Sequence, residues 1–371
     1  MPDALVIHKA SFLSYRLFEV GDEVDLARAE TLLAGGTARA RPVRERSEAL
    51  EIPNPPLTVP LGRRKVVAAG AEVEVELEAR VFDFGVVSLL ATLPCRTPAG
   101  FADLVELADD LYDSPHLLEL AARETGLLMD RLAGAVRRAH RWEGHEEYTV
   151  LFIEEVSSPS GPATATELLG DQQALVRLLV GERSPLPLAQ GERADVLERS
   201  FSYQERDLAA IDWNSAIVVE PSGSLDIPHL LEFATAQLLE MRYYDMLLDR
   251  ELVRIYGEIS RRRPGFFSLF QGRYSRLSRE MTRLVVEMAE FNERVENALK
   301  IVGDFYLARV YMGAVRRFRI PDWQQALGRK QALLAQAYAL LKSDLDTRRT
   351  LSLEILVALL IVLELFVVLK T

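Results

Sequence analysis

Three regimes of apolar spacing follow one another along the 371-residue chain. The first is mixed. Ser11 to Val20 predicts a strand and Asp25 to Leu33 a short helix. A proline-rich stretch with Pro42, Pro53, Pro55, Pro56 and Pro60 predicts a surface loop, because proline fixes φ and removes a ladder donor. Glu72 to Leu77 alternates acid and apolar side chains at period two, the pattern of a half-exposed strand. Arg80 to Leu93 predicts a more buried strand. Helix follows over Phe101 to Tyr112, and Ser114-Pro115 caps another helix to about Arg141. Tyr148 to Val156 predicts a buried strand, Ser157 to Pro162 a loop, Thr166 to Val180 helix, and Ala216 to Glu220 a last short strand.

The second regime is heptad spacing. Asp226-Ile227-Pro228 opens a helix with Asp as N-cap and Pro in the first turn. Apolar residues then recur at Leu231, Ala234, Leu238, Met241, Leu248, Leu252, Ile255 and Ile259, and Asp245 occupies the one skipped seam position. A single polar residue in such a seam can fix register or oligomeric state. Arg261, Arg262 and Arg263, followed by Pro264-Gly265, end this helix. A second series, Leu277, Met281, Leu284, Met288, Phe291, Val295, Ala298, Val302 and Phe305, predicts an antiparallel partner. Pro321 starts a third helix with Trp323, Leu327, Leu334, Leu341 and Leu345 on its apolar side.

The third regime is nearly continuous. Leu351 to Leu369 is apolar except at Ser352, Glu354 and Glu364. As a helix it is roughly 28 Å long, close to the ~30 Å of a hydrocarbon core. It predicts a transmembrane anchor that includes Leu351, Ile355, Leu360, Glu364 and Leu369. Arg348 and Arg349 just before it put the bulk of the chain on the cytoplasmic side, or the matrix side if mitochondrial. Membrane lipid is then a partner and the cell inner membrane the expected location, with a single pass.

The expected fold class is therefore α+β. A small mixed α/β N-terminal domain with one small sheet (residues 1–222) precedes a long antiparallel, coiled-coil-like helical arm (226–349) and a C-terminal transmembrane helix (351–369). Charge sharpens this division. The net charge of −11 is concentrated in the first part, and the second part is mildly basic. Arg273, Arg276, Arg279 and Arg283 share one side of the predicted second helix. With Arg261, Arg262 and Arg263 they form a candidate basic patch for RNA, a ribosome or another anionic partner. Glu280 and Glu287, each four residues after an Arg, can draw that charge into pairs along the helix.

Composition adds exclusions. The lone cysteine, Cys95, rules out an intrachain disulfide and a Cys-rich metal site. The N-terminus has neither a basic-then-apolar leader nor an Arg-rich, acid-poor transit segment. The five histidines, His8, His116, His140, His145 and His229, fall in no HExxH pattern, and no CxxC, phosphate-loop, GxGxxG or GxSxG motif occurs. His145-Glu146-Glu147 is the nearest acid/base cluster, and it falls in a predicted turn. No catalytic residue, metal ligand, cofactor or small-molecule substrate is assigned, and the chain reads as a non-enzyme.

Several of these segments resemble one family. The strand VFDFGVVSLL (81–90), the helical stretches DIPHLLEFATAQLLEMRYYD (226–245) and ENALKIVGDFYLARVYMGAVRRFRI (296–320), and Trp323 ahead of an apolar segment carrying Glu364 are similar to the family required for meiotic nuclear division, also called YagE or domain of unknown function 155. The resemblance spans about residues 75–370. It implies a membrane-anchored protein without known enzymatic activity. Eukaryotic members are mitochondrial inner-membrane proteins linked to translation, and this Ala-, Arg- and Leu-rich chain resembles a bacterial relative.

Three functions follow as expectations. The first is a membrane-anchored scaffold or tether with a self-associating arm, a homo-oligomer. The second is a membrane-tethered RNA- or ribosome-binding adaptor that supports translation. The third is an unrecognised enzyme in the α+β head.

Overall fold

The computed structural model describes residues 5–34, 54–170, 172–184, 186–260, 286 and 304–370. The chain divides into two compact units, Met1–Tyr243 with Phe291–Pro321, and Tyr244–Glu290 with Asp322–Thr371.

The first unit opens with β1 (Val6–Glu19), β2 (Glu23–Val24) and α1 (Leu26–Ala34), followed by β3 (Leu57–Ala68), β4 (Ala71–Val81) and β5 (Val86–Pro94). A short turn of 3-10 helix (Phe101–Leu104) leads into α2 (Val105–Tyr112) and α3 (Pro115–Leu132). Then come β6 (Val136–Arg137), β7 (His145–Ser158), β8 (Gly161–Pro162), α4 (Ala165–Gly170), α5 (Gln172–Val180), α6 (Gln190–Leu197), β9 (Ser200–Phe201), β10 (Leu208–Ile211) and β11 (Ser215–Val219). Among the described residues, three helices follow: α7 (Asp226–Ser260), α8 (Phe305–Arg317) and α9 (Ile320–Lys370).

One nine-stranded sheet dominates, in the order β3-β4-β5-β1-β7-β11-β10-β9, with β8 paired to β7. The small sheet expected from the sequence is thus corrected to a large mixed one. Short strands explain part of the difference, and the proline-bearing β3 (Leu57–Ala68) the rest. β9 has two residues and β10 four, and neither shows enough alternation to stand out. β11 runs parallel to β7, and its neighbours are antiparallel. All five residues of β11 are buried, which fits a strand covered on both faces.

β1 is central because both of its faces are covered. Phe12, Ser14 and Arg16 look to one side, and Leu13, Tyr15 and Leu17 to the other, and all six are buried. On the first side Phe12, Leu151 and Ile153 join Leu104, Ala108, Leu111, Leu175 and Leu179 in one apolar cluster. A second cluster on that side packs Leu26, Ala29 and Leu33 of α1 with Leu128 and Leu132 of α3 against Val59, Ala79 and Leu89. On the opposite side lie the first half of α7 and α8. Phe82 and Phe84 meet Phe233, and Tyr148 meets Phe318 edge-on with ring centroids 5.4 Å apart.

Two sequence expectations change locally. Pro60 lies in β3, not in a loop, and a register shift sits between Pro60 and Gly62. β3 is an edge strand, where a proline costs no ladder bond and helps refuse a further strand. Arg80 to Leu93 is two strands, not one. Phe82 to Gly85 turns between them, with Phe82 N–H donating to the Val86 carbonyl. Gly85 has φ +88, and a Cβ there would meet the Gly21 carbonyl oxygen at 1.7 Å, so only glycine fits.

The C-terminal expectation also changes. Among the described residues, no helix is long and apolar enough to cross a membrane. Leu351–Leu369 is the last part of α9, a single 51-residue helix. It continues without a break from the charged turns that carry Lys342, Asp344, Asp346, Arg348 and Arg349. Glu354 is exposed on it, and Glu364 follows ten residues later. Carboxylates are costly in hydrocarbon. The transmembrane helix, the tail anchor and the single-pass inner-membrane location are therefore withdrawn, and with them the topological role given to Arg348 and Arg349.

Candidate functional site

The first unit keeps its polar chemistry inside. On one side of β1, Arg16 is buried and donates to the Ser14 hydroxyl at 2.9 Å and to the Leu111 carbonyl at 2.8 Å. Its guanidinium also pairs with Glu147 at 2.9 Å. Burial pulls the Arg16 guanidinium below its ordinary value, and Glu147 and Asp113 oppose that shift. Ser14 and Thr149 share a buried hydroxyl pair at 3.0 Å.

His145, Glu146 and Glu147 lie at the start of β7 rather than in a turn. Strand alternation sends them to opposite faces. His145 and Glu147 share one face, joined at 3.0 Å, and that bond holds the imidazole above its usual value. Glu146 points to the other face, where it pairs with Arg242 of α7. Burial pushes its carboxyl up, and Arg242 opposes. These three consecutive residues do not converge on one substrate position. His145 is bound to Glu147, Glu147 also to Arg16, and Glu146 to Arg242 on the opposite face.

The other side of β1 holds a deeper pair. Arg80 of β4 donates to Glu232 of α7 at 2.5 Å, and both side chains are buried. Burial pulls the guanidinium down, and Glu232 more than offsets it. The Tyr15 hydroxyl, raised by burial and then by Glu232, lies beside them, and His229 is pulled down to about 3 by burial and the nearby Arg80. Thr58 and Ser88 flank Arg80 in the strand register. Among the described residues, the Tyr15, Thr58 and Ser88 hydroxyls, Arg80 Nε and Glu232 Oε1 are buried without a hydrogen-bond partner. The layer is shielded from solvent, and its pair locks α7 onto the sheet. α8 is fixed by charge as well: Arg317 donates to Asp212 at 2.7 Å and to Asp195 at 3.0 Å. Sequence reasoning passed over Arg16, Arg80 and Glu232. The available signal was a charge set among apolar neighbours, as in Leu-Ser-Tyr-Arg-Leu-Phe and Leu-Leu-Glu-Phe.

The second unit is built differently. Within it Leu248 and Ile255 of α7 and Leu327, Leu334 and Ala337 of α9 are buried. Asp245, the polar seam residue, and Asp249 both accept from Lys330 at 2.6 Å, so Asp245 is held within the chain. Burial draws the Lys330 ammonium down, but the two carboxylates outweigh it and hold it above its ordinary value. Large apolar residues remain open: Val253 and Tyr256 on α7, Leu333 on α9, and further along α9 Val357, Leu360 and Ile361, exposed by 52%, 57% and 52%. At 1.5 Å per residue α9 is roughly 75 Å long. This exposed apolar stretch of α9 is the candidate functional surface, and what it can do chemically is bury itself against another apolar face.

Leu360 and Glu354 are exposed on α9. Arg348, Arg349, Leu351, Ile355, Glu364 and Leu369 lie in its helical backbone, and their side chains fall outside the described ones. Arg261, Arg262, Arg263, Arg273, Arg276, Arg279 and Arg283 lie outside the described residues. Among the described residues, no group of three or more His, Cys, Asp or Glu side chains could hold a metal ion.

Residues 9–225 match the family described as the N-terminal domain of uncharacterized protein MJ0711. The chain is 22% identical over 267 residues to uncharacterized protein MJ0711 of Methanocaldococcus jannaschii, which covers 72% of this chain and 78% of that protein. No solved structure matches. The resemblance to the meiotic nuclear division family is corrected by these matches. The segments that carried it are one buried strand and two amphipathic stretches, and such patterns recur wherever a buried strand or a core helix is needed.

Proposed function

The chain belongs to the MJ0711 N-terminal domain family, and within that frame we propose that it is a self-associating structural protein, a scaffold. The sheet unit serves as its head and the helical unit as its means of assembly. One observation carries this reading: α9 continues far past its buried residues Leu327, Leu334 and Ala337 and leaves Val357, Leu360 and Ile361 more than half exposed. An isolated apolar helix surface loses free energy to water, about 25 cal/mol per Å² of apolar area, until something covers it. The titratable groups of the head support the same reading. Arg16, Glu147, Glu146, Arg80 and Glu232 each have an internal charged partner.

Light scattering of the full chain across a concentration series tests it. A mass of at least twice the monomer, falling toward one chain only on dilution, is the expected result. A constant monomer mass up to about 100 µM, weaker than the micromolar range of ordinary specific pairs, overturns it.

A further inference from the structure

We infer that the outward side of α8 is a docking surface for single-stranded nucleic acid, with aromatic rings for the bases and arginines for the phosphates. This surface lies within the sheet unit and is independent of α9 and of self-association.

α8 has two unlike sides. Leu307, Val310, Tyr311 and Ala314 are buried. At 100° per residue, Phe305, Arg309, Met312 and Arg316 fall within an arc of roughly 60° on the other side. All four are exposed, Phe305 by 90%. Close packing fixes that orientation. A Cβ at Gly313 would meet the Phe201 ring at 2.4 Å, so α8 lies tight against β9. The Asp304 carboxylate is taken up as the cap of α8, accepting from the Tyr306 N–H at 2.6 Å and the Leu307 N–H at 3.1 Å.

The stripe continues onto the loop after β9. Tyr203, exposed by 69%, lies against Tyr306 with ring centroids 5.6 Å apart and planes inclined by 36°. The Arg309 guanidinium stands 5.8 Å from the Tyr306 centroid and donates to the Ser202 carbonyl at 3.5 Å. Ring faces and a guanidinium therefore sit side by side. Among the described residues, Arg309 and Arg316 have no carboxylate partner, on a chain whose net charge is −11. The carboxylates around them are engaged elsewhere. Asp207 accepts from the Tyr203 and Gln204 N–H groups, and Asp195 and Asp212 accept from Arg317. Glu205 and Arg206, both exposed in the Tyr203 loop, carry opposite charges.

A single strand is the partner whose chemistry this mixture fits. Unpaired bases stack on aromatic rings and guanidinium planes, and phosphates take the arginine charge. A lipid surface asks for a wide apolar face. α8 turns outward only Phe305 and Met312, with one arginine between them and another after. An acidic peptide would meet the two arginines and leave the open rings of Phe305 and Tyr203 without a stacking partner.

Fluorescence anisotropy of the full chain with labelled oligo(U) and oligo(dT), each about 12 nucleotides long, tests the inference. Micromolar binding of either strand that weakens as salt is added is the expected result. Phe305→Ala and Tyr203→Ala are each expected to weaken it at least about fivefold and to leave the salt slope unchanged. Arg309→Gln and Arg316→Gln are each expected to weaken it and to lower the slope by about 0.7, the value of one phosphate contact on a single strand. Arg250→Gln, at an exposed position of α7, is expected to change nothing. No binding of either strand up to about 100 µM protein overturns the inference. Binding that survives all four stripe variants, or that Arg250→Gln weakens as much as Arg309→Gln does, overturns the stripe as its site. Displacement by polyglutamate at the same charge concentration, with both ring variants silent, shows charge alone and overturns the nucleic acid as occupant. Flotation with phosphatidylglycerol vesicles that Phe305→Ala abolishes, without oligonucleotide binding, overturns it in favour of lipid.

Discussion

The two units handle charge and apolar surface in opposite ways. The sheet unit buries both: Arg16 pairs with Glu147, and Arg80 with Glu232, beneath helices that also seal the apolar rows of β1, β5 and β7. The helical unit keeps both near water. Lys330 meets Asp245 and Asp249 at a partly exposed position, and Val253, Val357 and Leu360 stand open. A buried ion pair holds two elements in one register, because breaking it strands a charge in a low-dielectric interior. An exposed pair holds little, since water competes for both partners. The sheet unit is thus specified from within, and the helical unit has surface left to specify a contact with something else.

Four changes would break or sharpen that contrast. Gly85→Ala is expected to be the most damaging, because the added Cβ overlaps the Gly21 carbonyl oxygen at a φ of +88. A loss of at least about 4 kcal/mol should follow, measured as a shift in the urea midpoint or as failure to fold. Glu232→Ala leaves Arg80 charged and buried, with an expected cost of about 3–5 kcal/mol in the same measurement. If Glu232→Ala were neutral, the pair would not be locking α7 to the sheet.

Lys330→Ala should cost about 1 kcal/mol or less, and the cost should stay in the helical unit. Hydrogen exchange is expected to quicken over residues 244–257 of α7 and to remain unchanged in β1 and β7. The smallest effect belongs to His145. Its value is raised by the bond to Glu147, so the stability it adds is fully present below the ordinary 6.5 and is lost as pH rises through the higher folded value. Urea midpoints of the native chain should therefore fall slightly from pH 6 to pH 8 relative to His145→Gln. A native chain whose pH slope matched that variant would show that the Glu147 bond does not tune the imidazole.

Much of the first unit was legible residue by residue. β1, β7 and β11 lie where alternation or continuous apolar runs placed them, within a few residues. Ser114 does cap α3, accepting from the Leu117 N–H. α3 ends at Leu132, well short of Arg141, because the chain turns through Gly134 into β6. The small strands β9 and β10 were not legible, since four residues or fewer carry no readable period. The candidate surface was visible as apolar composition alone. Its apolar content suggested lipid, and its exposed carboxylate and its continuity with a charged helix count against that.

α7 shows where local pattern ends. Its heptad positions Leu231, Ala234, Leu238 and Met241 are buried, as a seam requires, but so are Leu230, Glu232, Ala236, Gln237 and Leu239 between them. The first half of α7 is therefore a core helix over the sheet rather than the start of an exposed arm. By itself the sequence determined several of the longer strands and helices, among them β1, β7, β11 and α7, because those depend on spacing along a few turns. Only the tertiary structure decided that nine strands join into one sheet among the described residues, that Arg80 meets Glu232 across 152 positions, and that Val357, Leu360 and Ile361 of α9 stand exposed. Those outcomes depend on which distant surfaces exclude water from each other, and that is a property of the packed chain rather than of any segment.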